Sequence, residues 1–543
     1  MTLFERILVA RGLDGNKKDD FLFPKYPSVN DPFLLPDMAP AVERLKVARD
    51  KQENIVIYGD YDIDGLTAAS LLADAMHSLG FENVDIFIPN RFIDGYGMNV
   101  DAVKSAIDMG ATLMVTVDCG SSSVKEIDYA NKNGLDVIVT DHHELPDKLP
   151  SAIAVINPKR NDSKYPFIDL AGVGVAFKLV QALRTEFSGI DEGQEKWLLD
   201  LVALGTVCDI VDLVDENRIN VYWGLKVLSQ TRRPGLKALM AIAGIDPKAI
   251  NARSLGFGLG PRMNASGRLE TAQYSLDLLT ATDPMVALQK AEHLDAMNKS
   301  RRADQDSIMK QAVIQADKYS DDPVLVVSDA GWNHGIVGIV ASKLMERYGK
   351  PAFVIQELGK ESKGSARSYG DFSAIDAVNH CQELITKGGG HKFAAGISLP
   401  TTNIISFRKK INDYYRALGL ANQHDLLLPK PDATAKLSEL DEVLVVMIDQ
   451  LEPFGSGNPR PIFKTENLMV KKVKLMGSDS QHVKLELQDQ SGISMQFISF
   501  NSPDHFIVPE GSMVSAWFHI SLNEWRGNRS VEGQLLHLEP YSK

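Results

Sequence analysis

The chain has 543 residues, 44% of them hydrophobic and 24% charged, and its 58 basic and 71 acidic side chains give a net charge of −13. This length predicts about three or four domains with hydrophobic cores of their own and excludes a single small binding module, while the acidic balance argues against coating nucleic acid by bulk charge. Three widely spaced cysteines disfavour a disulfide framework, and no apolar stretch reaches the ~18 residues that cross a bilayer, so we expect a cytoplasmic protein without a membrane span.

Apolar runs in the N-terminal part predict a parallel β-sheet covered by helices. The runs are rich in valine and isoleucine and alternate with longer amphipathic segments, a pattern typical of strands and helices in turn. The predicted strands are residues 54–58, 84–89, 112–117, 136–140 and 152–156. A helical section follows over about 170–242, and residues 284–319 predict one long helix between two domains.

The second half of the chain predicts two further domains. Residues 324–328, 336–348 and 352–355 predict a strand, a helix and a strand, which indicates a smaller α/β domain. After about residue 430 the pattern changes to short alternating runs, typical of a small β-barrel such as the oligonucleotide-binding (OB) barrel. We therefore predict an α/β fold with this C-terminal barrel, divided into 1–283, the connecting helix 284–319, 320–429 and 430–543.

Four apolar runs end in acids or histidines. Because the carboxyl ends of parallel strands share one edge of a sheet, where ligands bind, we expect the first three sets to converge there. We interpret the fourth run, residues 202–208, as an equivalent strand end whose acid joins them if its segment packs against that edge. The residues that follow the four runs are Asp60, Asp62 and Asp64; Asp118; Asp141, His142 and His143; and Asp209.

Such a cluster predicts divalent cations. Neighbouring carboxylates repel, and in an apolar setting their charge must be offset or lost to protonation. Carboxylates with imidazole suit Mn²⁺ more than Mg²⁺, and two such ions make phosphoester hydrolysis the natural chemistry. Two alternatives carry less weight: a calcium loop would need a glutamate at Leu71, and single acids often cap helices or form turns.

The motifs resemble the DHH phosphoesterase superfamily and, within it, the RecJ type of single-strand DNA exonuclease. The signature triplet stands at residues 141–143. Supporting motifs occur in the family's order over about residues 34–396, at 59–65, 115–120, 203–209, 260–268, 331–338 and 388–396.

The resemblance implies roles for individual residues. It makes six residues metal ligands: Asp60, Asp62, Asp64, Asp118, His142 and Asp209. It implies a catalytic set of six residues: Asp62, Asp64, Asp118, His142, His143 and Asp209. Asp60 and His143 are also implied as phosphate contacts. It implies substrate contacts by Arg91, Tyr96, Arg262, Asn264, Arg268, His334, Ser365, Arg367 and His391. One departure is Tyr58, which stands where many members have a histidine, so we expect one metal site to be weaker and to fill only with substrate.

The resemblance also implies a function, namely 5′ to 3′ hydrolysis of single-stranded DNA to 5′-mononucleotides in repair and recombination. It implies Mn²⁺ or Mg²⁺ as cofactor, a single-strand binding protein and a helicase as partners, and we expect a monomer. The alternatives are a phosphodiesterase of short oligonucleotides or cyclic dinucleotides, and a non-catalytic DNA-binding scaffold, which the intact acid set disfavours. In the barrel, Trp517, Phe518 and Trp525 are stacking platforms or, by preference, core residues.

Overall fold

The computed structural model describes residues 1–26, 29–90, 97–420, 424–477, 480–525 and 527–541, and for residues 16, 424, 425, 504 and 525 it describes the backbone only. The chain forms two compact units. The first consists of Met1–Leu294 together with Pro429–Lys543, and the second is Asp295–Leu428. Among the described helices, none combines the length and the apolar character that crossing a membrane requires.

A five-stranded parallel sheet lies at the centre of the N-terminal part. The strands are β1 (Ile55–Gly59), β2 (Val84–Phe87), β3 (Leu113–Val117), β4 (Asp136–Thr140) and β5 (Ala154–Ile156), in the order β2-β1-β3-β4-β5. All neighbours run parallel. Every residue of β1 and β3 is buried, as expected for strands covered by helices on both faces. The five predicted strands are confirmed.

Twelve α-helices are described before residue 284. They are α1 (Leu3–Ala10), α2 (Asn16–Leu22), α3 (Met38–Asp50), α4 (Ile63–Ser78), α5 (Val100–Asp108), α6 (Val124–Lys132), α7 (Gly172–Glu186), α8 (Leu199–Asp209), α9 (Asp215–Leu228), α10 (Pro234–Ile242), α11 (Gly260–Leu269) and α12 (Gln273–Leu279). Helix α4 packs against both α7 and α8, so almost all of its residues are buried.

The run 202–208 is helical, which corrects its interpretation as a strand end. Residues Leu199–Thr206 of α8 are all buried, because the helix packs against α4, α7 and α9. A helix buried on all sides is apolar all round, and a short apolar run of this kind cannot be distinguished from a buried strand by periodicity. Asp209 is therefore the last residue of a helix.

The second unit has its own mixed sheet. Helix α13 (Pro284–Lys318) is a single helix of 35 residues, and from Asp295 onward it belongs to this unit. The elements that follow are β6 (Leu325–Asp329), α14 (His334–Tyr348), β7 (Ala352–Leu358), β8 (Glu361–Arg367), α15 (Ala374–His380), β9 (Lys387–His391), β10 (Ala394–Pro400) and α16 (Ile404–Ala417). The strand order is β6-β7-β8-β10-β9, with only β6 and β7 parallel, and β9 is an exposed edge.

The C-terminal part is a closed barrel, which confirms that prediction. Its elements are β11 (Ala433–Thr434), α17 (Glu442–Asp449), β12 (Phe463–Met476), β13 (His482–Gln488), β14 (Ser494–Ser499), β15 (Met513–Trp525) and β16 (Asn528–Pro540). Pairing of β12 with β15 closes the ring. Helix α1 packs into the same core as Phe463, Phe497 and Phe518, a contact that the sequence analysis did not anticipate.

Candidate metal centre and substrate-contact residues

The three acids of the first motif are placed by the junction of β1 and α4. Asp60 directly follows β1, and Asp62 caps α4 by accepting a hydrogen bond from the Gly65 amide at 3.1 Å. Asp64 lies in the first turn of α4 and is 1% exposed. A short polar side chain is preferred at a helix N-cap, which explains why an aspartate opens this helix locally.

The other acids and histidines come from β3, β4 and α8. Asp118 directly follows β3 with a left-handed φ of 60°, and Asp141, His142 and His143 directly follow β4. Asp209 reaches them from the C-terminal end of α8. We call the resulting cluster the acid–histidine site; it comprises Asp60, Asp62, Asp64, Asp118, His142, His143 and Asp209.

The distances in this site suit shared cations. His142 Nε2 lies 3.1 Å from Asp118 Oδ1, 3.6 Å from Asp209 Oδ2 and 3.9 Å from Asp64 Oδ2. Ligand atoms fall into three overlapping groups, each within 4.8 Å: Asp118, His142 and His143; Asp64, His142 and Asp209; and Asp60, Asp62 and Asp118. The four sets predicted from the sequence therefore converge.

Burial and mutual repulsion perturb the carboxyl groups. Burial, followed by the charges of neighbouring aspartates, raises the pKa of Asp64 and of Asp118 well above the ordinary value. Burial and the charge of Asp62 raise the pKa of Asp209 to about 6. Burial and the charge of His143 lower the pKa of His142 to about 4, so that this imidazole is neutral. A neutral imidazole is the form that binds metal.

Several buried atoms of the site need a partner. Asp118 Oδ1, His142 Nε2 and Asp209 Oδ2 make no hydrogen bond with any other described residue. Buried polar atoms without partners are costly, and carboxylate oxygens with a neutral imidazole are donors for Mn²⁺ or Mg²⁺. The residues present therefore fit divalent cations.

Asp141 holds the histidines in place instead of belonging to a ligand group. Its Oδ1 accepts hydrogen bonds from the amides of His142 and His143 at 2.8 and 3.1 Å and lies 2.8 Å from His143 Nδ1. Burial would raise the pKa of Asp141, but the bonds and charge of His143 outweigh it, and the pKa is lowered. Conversely, the bond and charge of Asp141 outweigh burial and raise the pKa of His143 to about 9.

Helix α7 supplies a contact that the sequence analysis missed. The amides of Gly172 and Val173 donate to the two carboxylate oxygens of Asp64 at 2.6 and 2.9 Å. A Cβ atom on Gly172 would lie 2.5 Å from Asp118 Oδ1, so only glycine fits there. The Gly172-Val-Gly174 pattern is the signal in the sequence for this close approach.

Tyr58 is a core residue. It is fully buried, its hydroxyl donates to the Gly97 carbonyl at 3.1 Å, and its ring stacks on Phe87 at 5.5 Å. Two histidines of the described residues, His142 and His143, therefore lie in the site. Among these residues, no other histidine supplies the imidazole that many family members have at the position of Tyr58.

Helix α11 brings two predicted DNA contacts next to the acids. A cavity of about 220 Å³ is lined by Tyr61, Asp62, Ile63, Cys208, Asp209, Asn264, Gly267 and Arg268. Arg262 lies on the same helix and donates to the Gly258 carbonyl at 2.7 Å. Arg91 and Tyr96 lie outside the described residues.

The predicted phosphate contacts of the second unit share one region of its sheet. Ser365 and Arg367 alternate along β8 and therefore point to one face, and directly paired strand residues share a face. His391 and Arg367 both pair with Ala394, while Gly389 and Ser365 both pair with Gly396. A Cβ atom at either of these glycines would meet nothing within 4 Å, so the face is open there.

Helix α14 approaches the same face. A Cβ atom added to Gly338 would lie 3.3 Å from Arg367 Nη2 and 3.5 Å from Ser365 Oγ. His334 begins this helix one turn earlier, and Gln356 Oε1 lies 2.9 Å from its amide and 3.1 Å from its Nδ1.

The aromatic residues of the barrel mostly pack inward. Phe518 is fully buried in the barrel core. Trp517 is 9% exposed, and its ring lies edge-on to His537 with Lys464 Nζ 4.5 Å from its centroid. The side chain of Trp525 lies outside the described residues. Phe518 is therefore a core residue, which was the interpretation preferred from the sequence.

Three family models match the chain: the DHH family N-terminal domain over residues 54–206, the DHHA1 domain over 321–417 and the RecJ OB domain over 431–537. The single-stranded-DNA-specific exonuclease RecJ of Bacillus subtilis (strain 168) is 38% identical over 98% of this chain and 67% of that protein. The protein of the same name from Dickeya dadantii (strain 3937) is 36% identical over 93% of this chain and 91% of its own length.

Solved structures agree with the sequence relatives. The crystal structure of RecJ from Thermus thermophilus in complex with Mn²⁺ has a TM-score of 0.85 and 27% identity, covering 99% of this chain and 76% of that one. The corresponding Mg²⁺ complex has a TM-score of 0.78 and 25% identity, with 99% and 75% covered. The chain belongs to the RecJ family of single-stranded-DNA-specific exonucleases.

Proposed function

We propose that this chain is a metal-dependent exonuclease that degrades single-stranded DNA from the 5′ end and releases 5′-mononucleotides. The observation that carries this function is the convergence of acids and histidines from β1, β3, β4 and α8, with buried atoms that make no hydrogen bond to the described residues. The RecJ relatives, named for their specificity for single-stranded DNA, support the choice of substrate.

We assign the metal ligands to the acid–histidine site, with one or two Mn²⁺ or Mg²⁺ ions. The proposed ligands are Asp60, Asp62, Asp64, Asp118, His142 and Asp209. When bound, the cations supply the Lewis acidity that activates water and neutralises charge on the phosphate. The chain supplies the orientation, since the α7 amides hold both carboxylate oxygens of Asp64.

His143 completes the proposed catalytic set with Asp62, Asp64, Asp118, His142 and Asp209. Because Asp141 binds its Nδ1, a contact with a phosphate oxygen would be made by Nε2. The raised pKa of about 9 keeps this imidazole protonated near neutral pH, so that it can donate to a phosphate oxygen.

We propose that substrate phosphates are bound at two places. In the first unit the contacts are Asn264 and Arg268, which line the cavity beside Asp62, together with Arg262, Arg91 and Tyr96. In the second unit they are Ser365, Arg367 and His391 on the open sheet face and His334 at the start of α14. Arginine suits this role because its guanidinium can bind a phosphate in two places.

The roles of the domains, the protein partners and the cellular location that we propose follow from the same function. We propose that residues 1–283 form the catalytic domain, 284–319 the connecting helix, 320–429 the substrate-binding domain and 430–543 the barrel that extends the DNA track. A single-strand binding protein and a helicase would be the protein partners, since one protects and the other exposes the substrate. We propose a monomeric enzyme that acts in the cytoplasm in DNA repair and recombination.

The test is a time course with Mn²⁺ on long single-stranded DNA labelled at either end. The 5′ label should appear at once as mononucleotide, while the 3′-labelled strand shortens progressively. Asp118→Ala should be inactive, and Asp147→Asn, at an exposed acid outside the site, should be as active as the wild type. Survival of long DNA together with cleavage of dinucleotides would favour the short-oligonucleotide phosphodiesterase instead.

A further inference from the structure

The turn after Asp209 contains a strained residue. Ile210 has φ 66° and ψ 22°, a left-handed conformation that is unfavourable for a β-branched side chain. Such a conformation persists only where the surrounding structure holds it. The Ile210 side chain is 74% exposed, so its own packing does not provide that hold.

The loop before the barrel contacts this turn directly. The Leu213 amide donates to the Ser456 carbonyl at 2.8 Å, and Ser456 Oγ donates to Asp212 Oδ1 at 2.6 Å. The loop backbone approaches the side chains of the turn so closely that a Cβ atom on Gly455 would lie 2.7 Å from Leu213 Cδ1. On Gly457, whose φ is +67°, it would lie 2.7 Å from Asp212 Cβ. Residues 244 positions apart thus form one tight contact.

This loop is itself held rigidly. The Asn458 side-chain amide donates to the carbonyls of Leu451 and Pro453 at 2.9 and 2.8 Å, and Arg11 donates to Asn458 Oδ1 at 2.9 Å. Arg218, a residue of α9 that is only 2% exposed itself, donates to the Leu451 carbonyl at 2.9 Å. The loop is therefore held by contacts besides those with the turn.

We propose that Ser456 is a positioning residue for Asp209. Its hydroxyl anchors Asp212 beside the bond from the Leu213 amide to the Ser456 carbonyl, and this hydroxyl anchor keeps Ile210 in its left-handed conformation and the Asp209 carboxylate near His142. The Asn217 side-chain amide also donates to the Asp212 carbonyl, at 3.1 Å, so loss of the Ser456 hydroxyl loosens the turn and misorients Asp209 without unfolding the turn. This role of Ser456 rests on the proposed role of Asp209 as a metal ligand.

Ser456→Ala in the full chain tests the role, because it removes only the hydroxyl. Ser491→Ala is a matched control, since Ser491 Oγ also donates to an aspartate, Asp489, at 2.6 Å but in an exposed turn of the barrel. Calorimetry measures Mn²⁺ affinity without DNA, and steady-state kinetics separate kcat from the KM for single-stranded DNA. Ser456→Thr, which keeps the hydroxyl, serves as the rescue variant.

We expect Ser456→Ala to weaken Mn²⁺ binding and lower kcat by about tenfold each, the lower end of what removing groups that orient metal ligands costs. KM should not change, Ser456→Thr should recover most of the loss, and Ser491→Ala should match the wild type. A raised KM with unchanged kcat and Mn²⁺ affinity would overturn the proposal in favour of direct DNA contact, and wild-type behaviour would overturn it outright.

Asp209→Asn in the same calorimetry distinguishes a failure of the Ser456 role from a failure of the Asp209 ligand assignment. If Asp209→Asn loses Mn²⁺ affinity and Ser456→Ala does not, only the role of Ser456 falls. If Asp209→Asn binds Mn²⁺ as tightly as the wild type, the ligand assignment of Asp209 falls and the role of Ser456 falls with it.

Discussion

Two buried clusters of charged side chains lie in the same unit, and they differ in how their charges are satisfied. One is the Lys178–Glu216 network, which comprises Lys178, Glu216, Tyr165 and Asn30. Lys178 and Glu216 are 0% and 1% exposed and form an ion pair. Lys178 Nζ also donates to the Asn30 carbonyl at 2.7 Å, and the Tyr165 hydroxyl donates to Glu216 Oε2 at 2.5 Å. Opposite charges balance within the chain.

The acid–histidine site has the opposite character. Five aspartates converge with two histidines, one of which is neutral because its pKa is lowered to about 4. Burial raises the pKa of Asp64 and Asp118, and atoms of Asp118, His142 and Asp209 make no hydrogen bond with the described residues. Burial of charge is common to both clusters, so the balance of opposite charges within the chain, not burial, distinguishes the structural ion pair from the acid–histidine site.

The strongest test of this contrast is Asp118→Asn. We expect activity to fall by at least about a hundredfold, because even the outer partners of metal ligands can matter that much. In chelator, however, the variant should be more stable than the wild type, because the substitution removes a buried carboxylate whose ionised form is disfavoured. Nuclease assays and urea unfolding measure the two effects. A metal-free variant less stable than the wild type would place Asp118 with the structural residues.

Lys178→Met should have the opposite effect on stability. It leaves the Glu216 carboxylate buried without its cation, which costs about 3–5 kcal/mol of unfolding free energy. Urea unfolding measures the loss, and the double variant with Glu216→Gln should recover part of it. A loss below about 1 kcal/mol, typical of an exposed pair, would contradict the buried network.

The pH dependence of stability should separate the clusters further. The pKa of Asp209 is about 6 in the folded chain and is lower when the chain unfolds, so the folded state binds the extra proton between these values. Stability of the metal-free protein should therefore fall as pH rises from about 4 to above 6, by about 3 kcal/mol at most from this group. Asp209→Asn, or added Mn²⁺, should flatten the curve; an unchanged slope in Asp209→Asn would assign it to other groups.

Asp141→Asn should have a smaller effect. The amide keeps an acceptor for the backbone of His142 and His143 but loses the charge that raises the His143 pKa. We expect activity to fall by about tenfold, and the pKa of His143 to fall from about 9 toward its ordinary value. NMR titration of the imidazole measures the latter, with Asp147→Asn as the control. An unchanged His143 pKa would show that Asp141 does not set its protonation.

Much of this site was predictable because its signals are local. Alternating apolar runs gave the five parallel strands, and the acids that follow β1, β3 and β4 were expected to meet because parallel strands end at one edge. Asp62 at the helix N-cap is a local preference as well. Asp209 was expected for the wrong local reason, since its apolar run belongs to a buried helix.

Tertiary structure alone decided the contacts between distant segments. The α7 amides on Asp64, the packing of α1 into the barrel core and the bond from Ser456 to Asp212 join residues 108 to more than 400 positions apart. No local pattern encodes such pairs, because they depend on how complete helices and the barrel pack together. The sequence by itself determined which acids and histidines gather at the sheet edge, since strand periodicity and helix capping act over a few residues. Packing decided how those residues are held, because only the folded chain brings their partners within hydrogen-bond distance.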